Sequence, residues 1–163
     1  MNNQEYTEAV DEFAQTIFRI AYSYCKNRCD AEDVVQNVFL KLLKNEPKFN
    51  DKEHLKKWLI RVAANEAKNS CASFWKTRIV PLEEFDSDRT EDFPNETRSK
   101  LFEAIHKLKE KYRIVVHLYY YEDYSTKEIA SILDIKETTV QTRLMRARGK
   151  LKDLLKEDWD YEQ

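Results

Sequence analysis

Ser125-Thr126-Lys127-Glu128-Ile129-Ala130-Ser131-Ile132-Leu133-Asp134-Ile135-Lys136-Glu137-Thr138-Thr139-Val140-Gln141-Thr142-Arg143-Leu144-Met145-Arg146-Ala147-Arg148 reads as two helices and the turn between them. Ser125 followed three residues later by Glu128 is a capping box, in which each side chain can serve the other's backbone N–H. Ile129, Ala130 and Leu133 fall on one face behind it. Asp134-Ile135-Lys136 is a three-residue turn, and a second helix begins near Glu137 with Val140, Leu144, Ala147, Leu151 and Leu154/Leu155 expected inside. A small residue, Ala130, stands where the helices should cross, which is the helix-turn-helix pattern. From Lys136 to Lys152 there are six bases (Lys136, Arg143, Arg146, Arg148, Lys150, Lys152) against one acid, Glu137. Gln141, Thr142, Met145 and Arg146 share the exposed face. Amide, hydroxyl and guanidinium groups there can meet base edges in a major groove while flanking cations hold phosphates. The plain alternative is a solvated basic surface helix.

Working back along the chain, apolar residues stay at helical spacing. Val10, Phe13, Ala14, Ile17, Ile20, Ala21 and Tyr24 predict a first helix that breaks at Asn27-Arg28-Cys29. Asp30 reads as the N-cap of a second, with Glu32 and Asp33 in the first turn, where the helix dipole favours acids. Val34, Val35, Val38, Phe39 and Leu42 form its buried stripe. A loop around Pro47 to Asp51 leads to a third helix from about Glu53 to Phe74 or Trp75, burying Leu55, Trp58, Leu59, Val62 and Ala63. Between Lys44 and Arg78 nine bases face four acids, and Lys57, Arg61, Asn65 and Lys68 follow helical spacing. Phe49, Trp58, Phe74 and Trp75 intersperse this charge. Aromatic groups beside basic ones suit unstacked bases as well as phosphates. Trp58 is expected in the core; Phe49, in a loop, fits either role.

Residues 79–100 differ in kind. They carry Pro81, Pro94 and seven acids against three bases, with no periodicity, and read as an acidic flexible linker. Beyond it, Leu101, Ile105 and Leu108 make one stripe and Ile114, Val115, Leu118 and Tyr119 another. The expected fold is therefore all-α: two small helical domains, 1–78 and 101–163, joined by the linker, the second containing the helix-turn-helix.

Composition narrows the function. In 163 residues there are 1 Gly and 3 Pro, too few for the turns of a β-rich fold and for any glycine-rich phosphate loop. His54, His106 and His117 have no metal-ligand spacing, and no Ser or Cys has a partner base in sequence, so neither catalysis, a metal nor a cofactor is expected. Cys25, Cys29 and Cys71 are an odd number without a polar-apolar leader before them, and read as free thiols of a cytoplasmic protein. No stretch is apolar for long enough to insert into a membrane. A net charge of −2 would by itself disfavour nucleic acid, but it is an average over segregated charge.

Four blocks in order, Asp30-Ala31-Glu32-Asp33-Val34-Val35-Gln36-Asn37-Val38-Phe39, Trp58-Leu59-Ile60-Arg61-Val62-Ala63-Ala64-Asn65, Tyr119-Tyr120-Tyr121-Glu122-Asp123-Tyr124-Ser125 and Val140 to Arg148, resemble the extracytoplasmic-function sigma factors of bacterial RNA polymerase. The resemblance runs from about Phe13 to Leu155. It implies a first domain that binds core polymerase and opens the minus-ten element, and a second that recognises the minus-thirty-five element. By matching position, Asp33, Gln36 and Asn37 would meet the coiled coil of the largest polymerase subunit. Phe49, Asn50 and Asp51 would lie in the loop that takes a flipped base, and Arg61, Asn65, Lys68 and Asn69 on the helix that meets the minus-ten region. Lys136, Thr138, Gln141, Thr142, Arg143, Met145, Arg146 and Arg148 would form the minus-thirty-five surface, with Arg143 and Arg148 on phosphates or supporting the fold. The partners implied are core polymerase, including the flap of its second-largest subunit, promoter DNA and an anti-sigma factor of the kind often anchored in a membrane.

The sequence also departs from the family. Asn37 stands where Glu is usual, Gln141 where many relatives have Lys or Arg, and Asp134 and Thr139 where many have Gly. Gln at a base-facing position favours adenine over guanine. A DNA-binding regulator without polymerase binding would need no Asp33/Gln36/Asn37 face, and a pure protein-interaction module would bind no DNA.

Overall fold

The computed structural model describes residues 1–75 and 96–160, and side chains within 1–70 and 100–156. The chain forms two compact units, Met1–Glu84 and Phe85–Gln163. Among the described residues there is no strand.

The first unit is three helices, each packed on the other two: α1 (Asn3–Cys25), α2 (Arg28–Asn45) and α3 (Lys52–Trp75). Asn2 and Glu5 form a capping box at the start of α1, so this helix begins well before the apolar stripe that predicts it. Ala9, Phe13, Ile17, Ile20, Ala21, Tyr24 and Cys25 are buried, while Val10 and Ala14 lie half-buried at the edge of that face. Lys26 (φ 54°) takes the left-handed conformation and ends α1. The cap of α2 is Asn27 rather than Asp30. The Asn27 amide oxygen accepts from the N–H of Cys29 (2.8 Å) and of Asp30 (3.3 Å), which puts Asp30 inside the first turn. Val34, Val38, Phe39 and Leu42 meet Leu59, Ile60, Ala63 and Ala67 in the core; Val35, Trp58 and Val62 are half-buried. Lys41–Glu66 and Lys52–Glu12 ion pairs tie neighbouring helices at the surface, where such pairs contribute little.

The second unit comprises α4 (Glu96–Lys107), α5 (Glu110–Val116), one π-helical turn (His117–Tyr121), α6 (Thr126–Leu133) and α7 (Glu137–Asp160). Helix α7 is the hub, with α4, α5 and α6 packed on it. Helix α4 starts at Glu96, inside the stretch that reads as linker. The rest of that stretch, 79–95, lies outside the described residues, as do the side chains of Cys71, Phe74 and Trp75. Ile114, Val115, Leu118, Ile129, Val140, Leu144 and Ala147 form the core. The one charged side chain buried there among the described residues, Arg113, donates from Nη1 to the carbonyl of Leu108 at the α4–α5 junction. Four described residues sit at positive φ, namely Lys26, Glu46, Asp123 and Asp134, and none is glycine. No described helix is long and apolar enough to cross a membrane.

Leu151, Leu154 and Leu155 are half-exposed, not buried as their spacing suggests, and Leu101 is 40% exposed. Leu101, Ile105, Val116, Tyr120, Leu151 and Leu155 line an open groove instead.

Candidate nucleic-acid interface

Helix α6 starts on Ser125, whose Oγ accepts from the N–H of Glu128 (3.1 Å). It stops at Asp134 (φ 55°, ψ 50°), and the N–H of Ile135 returns to the carbonyl of Ala130 (3.0 Å). A short polar side chain tolerates this left-handed turn better than most, so the missing glycine does not unmake it. Lys136 then offers its carbonyl to Thr139 (3.0 Å) and Val140 (3.2 Å), opening α7. The Thr126 hydroxyl donates to Glu137 Oε1 (2.9 Å) across the turn and fixes one helix against the other. Ile129 and Ile132 of α6, rather than Leu133, are buried with Val140, Leu144 and Ala147 of α7.

That burial orients the rest of α7. Lys136, Thr138, Gln141, Met145, Arg146 and Arg148 are exposed, Met145 at 63%, and Thr142 and Arg143 are half-buried. The Thr142 hydroxyl donates back to the carbonyl of Thr138 (2.9 Å), leaving its lone pairs outward. Six of the eight expected base-side or phosphate-side residues are thus exposed. Arg148 differs from the others. Its guanidinium lies over Tyr119 and Tyr120, 5.6 and 5.5 Å from the ring centres, and donates to the Tyr120 hydroxyl. That hydrogen bond raises its pKa, so the anchor stays charged.

On the opposite flank of α7 lies a group that the sequence did not single out. Tyr112 is buried. Lys150 Nζ is 4.8 Å and Lys111 Nζ 5.1 Å from its ring centre, and Arg146 stands one helical turn before Lys150 on α7. Burial pushes the Tyr112 phenol up, but Lys111, Arg146 and Lys150 together hold it below the usual tyrosine value. No spacing rule links Tyr112 with Arg146 and Lys150, because they meet only through the α5–α7 packing.

In the first unit Phe49 is half-buried and packs edge-on to His54 (5.4 Å) and Trp58 (5.6 Å). Asp51 Oδ1 accepts from the His54 N–H (2.7 Å) and caps α3, while the Asn50 N–H points to His54 Nδ1 (3.3 Å). The Phe49-Asn50-Asp51 loop is therefore built onto the first turns of α3. Arg61, Asn65, Lys68 and Asn69 are exposed on that same helix, with Leu59, Ile60, Ala63 and Ala67 behind them. On α2, Asp33, Gln36 and Asn37 are exposed opposite Val34 and Val38. They are joined by Leu40 (47% exposed) and Leu43 (51%), which helical spacing does not flag as a site although neither fits the Val34/Val38/Leu42 stripe. The two faces use different helices of one bundle.

Comparison with known proteins gives the family. The pattern that defines Sigma-70 region 2 matches residues 9–77, and that of Sigma-70 region 4 matches residues 98–151. The RNA polymerase sigma factor SigV of Bacillus subtilis (strain 168) is 33% identical over 152 residues, covering 91% of this chain and 90% of that protein. The ECF RNA polymerase sigma factor SigW of the same organism is 27% identical over 169 residues, covering 93% and 89%. Two solved structures share the fold. The sigma factor RpoE in complex with the anti-sigma factor NepR from Bartonella quintana superposes with a TM-score of 0.70 at 20% identity, over 94% of this chain and 98% of the other. CnrH in complex with the cytosolic domain of CnrY gives 0.68 at 23%, over 96% and 91%.

Proposed function

Because the chain belongs to the extracytoplasmic-function sigma factors of the sigma-70 family, we propose that its two units divide the work of promoter-directed initiation between the faces described above. A sigma factor directs core RNA polymerase to promoters and initiates transcription, and this chain is one. The finer assignment rests on one observation: α7 turns a polar and basic face outward because Val140, Leu144 and Ala147 are buried on its other side. In this reading Gln141, Thr142, Met145 and Arg146 meet base edges of the minus-thirty-five element, Lys136, Thr138 and Arg143 border them, and Gln141 selects adenine. Asp33, Gln36 and Asn37 dock on the coiled coil of the largest polymerase subunit, with Leu40 and Leu43 adding apolar area to a polar contact.

Arg61, Asn65, Lys68 and Asn69 track the minus-ten region, and the Phe49-Asn50-Asp51 loop receives an unpaired base. Strand opening follows if the first unit binds unstacked bases more tightly than the duplex, so that binding offsets base-pair opening. The chain performs no catalysis of its own. The flap of the second-largest subunit is assigned to the open groove of the second unit, where Leu101, Ile105, Leu151 and Leu155 offer apolar surface. An anti-sigma factor would compete for these surfaces in the cytoplasm; that relatives of the same fold are seen with such partners supports this. Whether that partner is membrane-anchored is a property of the partner.

Run-off transcription with purified core polymerase on a genomic template pool tests the assignment. Promoter-dependent transcripts that require the chain are expected, together with its co-purification with core. Core binding without promoter selectivity would remove the α7 assignment; DNA binding without core binding would remove the α2 assignment.

A further inference from the structure

We propose that Lys111 and Lys150, held over Tyr112 beside Arg146, form a phosphodiester clamp that grips the DNA backbone bordering the groove entered by α7. The inference rests on the reading that α7 contacts promoter DNA, and it adds a site outside the helix-turn-helix itself. Two lysines from two helices lie against one ring, with Arg146 a turn away on α7. The two ammonium groups lie 5.1 and 4.8 Å from the same ring centre, so they are within about 10 Å of each other, a span that one phosphate or two successive phosphates of a strand can bridge. Among the described residues no carboxylate forms an ion pair with Lys111, Arg146 or Lys150. Elsewhere on the surface lysines do find acids, as Lys41 does with Glu66 and Lys52 with Glu12. Like charges gathered without a counter-ion repel one another, and an anion removes that repulsion on binding. Tyr112 is buried, so its ring gives the two lysines a fixed surface to stand against.

The ligand class follows from position. Arg146 is exposed beside Met145 and stands one turn before Lys150 on the same side of α7, so whatever polyanion that face meets passes the lysines next. Backbone contacts of this kind carry no sequence information; they fix register and supply salt-dependent affinity.

The test uses polymerase holoenzyme assembled with the full chain and a promoter fragment recovered from a genomic pool by the wild-type holoenzyme. Binding is measured against salt concentration for wild type, for the double variant Lys111→Gln/Lys150→Gln, and for Lys107→Gln, an exposed lysine of α4. Removing two cations that each neutralise one phosphate should flatten the slope of log affinity against log salt by about 1.8, at roughly 0.9 per phosphate. Mismatched promoters should weaken in parallel, and Lys107→Gln should keep the wild-type slope. An unchanged slope in the double variant overturns the clamp, as does an equal flattening in Lys107→Gln, which would signal only overall charge. Weakened assembly with core at unchanged DNA slope would mark the cluster as a protein contact and also overturn it. Failure of the wild-type holoenzyme to select any fragment would instead sink the promoter-binding reading beneath the proposal.

Discussion

The guanidinium of Arg148 covers the faces of Tyr119 and Tyr120 and donates to the Tyr120 hydroxyl, which commits it to the protein before any ligand arrives. Arg146, two positions earlier, projects from the exposed face. Arg148→Ala should therefore lower stability by about 1 kcal/mol, the size of an exposed cation–π contact with its hydrogen bond, and leave the salt dependence of DNA binding alone. Arg146→Ala should leave stability nearly unchanged and cost ~1–3 kcal/mol in discrimination at one base position. Urea unfolding and binding to single-base promoter variants separate the two; an unfolding midpoint untouched by Arg148→Ala would show that the tyrosines do not depend on it. Tyr112 gives a pH test of the neighbouring cluster. Burial raises its pKa, but Lys111, Arg146 and Lys150 more than reverse this. In the folded chain the phenolate thus forms at lower pH than in the unfolded one. At neutral pH the phenol is protonated in both states and contributes nothing. As pH rises through the lowered folded value the folded state gains stability, fully present above the ordinary tyrosine value of 10.0 and lost as pH falls back through the folded one. Ultraviolet titration should show the Tyr112 phenol ionising below 10.0, and Lys150→Gln should move it upward.

Among elements, the chain's single glycine is in an unexpected place. Gly149 lies inside α7, at no special φ, and a Cβ there would meet nothing within 4 Å. Meanwhile the four left-handed positions that glycine would suit are held by Lys26, Glu46, Asp123 and Asp134. Gly149→Ala should then stabilise the chain by about 1 kcal/mol, the difference in helix propensity, measured by urea unfolding. No gain would mean that α7 frays near this point, whatever its neighbours. The helices themselves were legible because each buries one face: Phe13, Ile17 and Ile20, or Val140, Leu144 and Ala147, announce a helix wherever the partner lies. Ends were less so, since Asp30 and Asn27 are both good caps and only the backbone path chooses Asn27. Helical spacing also cannot say whether a stripe will be covered. Leu151, Leu154 and Leu155 repeat the pattern of Leu144 yet stay half-exposed beside a groove, because no described helix covers them fully. The outward face of α7 was readable for the same reason as its core. The Arg148–Tyr120 and Lys150–Tyr112 pairs were not, because contacts 28 and 38 positions apart depend on packing that no local pattern encodes.

For the whole molecule, charge is sorted rather than scarce. Residues 1–80 carry 13 bases and 11 acids, 81–100 carry 3 and 7, and 101–163 carry 12 of each, yet 136–152 alone is +5. A net charge of −2 then suits a protein that meets DNA through local basic faces and gains affinity from the polymerase it joins. Such a division requires that core binding and promoter recognition be separable by substitution, since the α2 face and the α7 face belong to different compact units. Asp33 and Gln36 are exposed and opposite the Val34/Val38 core, so Asp33→Ala/Gln36→Ala should change stability by no more than about 0.5 kcal/mol. Truncating two central side chains of a docking face should nonetheless weaken association with core by about tenfold or more, that is, ~1.4 kcal/mol or above. Core affinity is measured by titrating labelled chain with polymerase, and promoter preference by competition between matched and mismatched fragments at saturating chain. The double variant should bind core more weakly yet rank the fragments as wild type does, whereas Arg146→Ala should bind core normally and lose the ranking at one position. If both variants lost core affinity and ranking together, the two faces would be acting as one surface, and the assignment of separate tasks to the two units would fall.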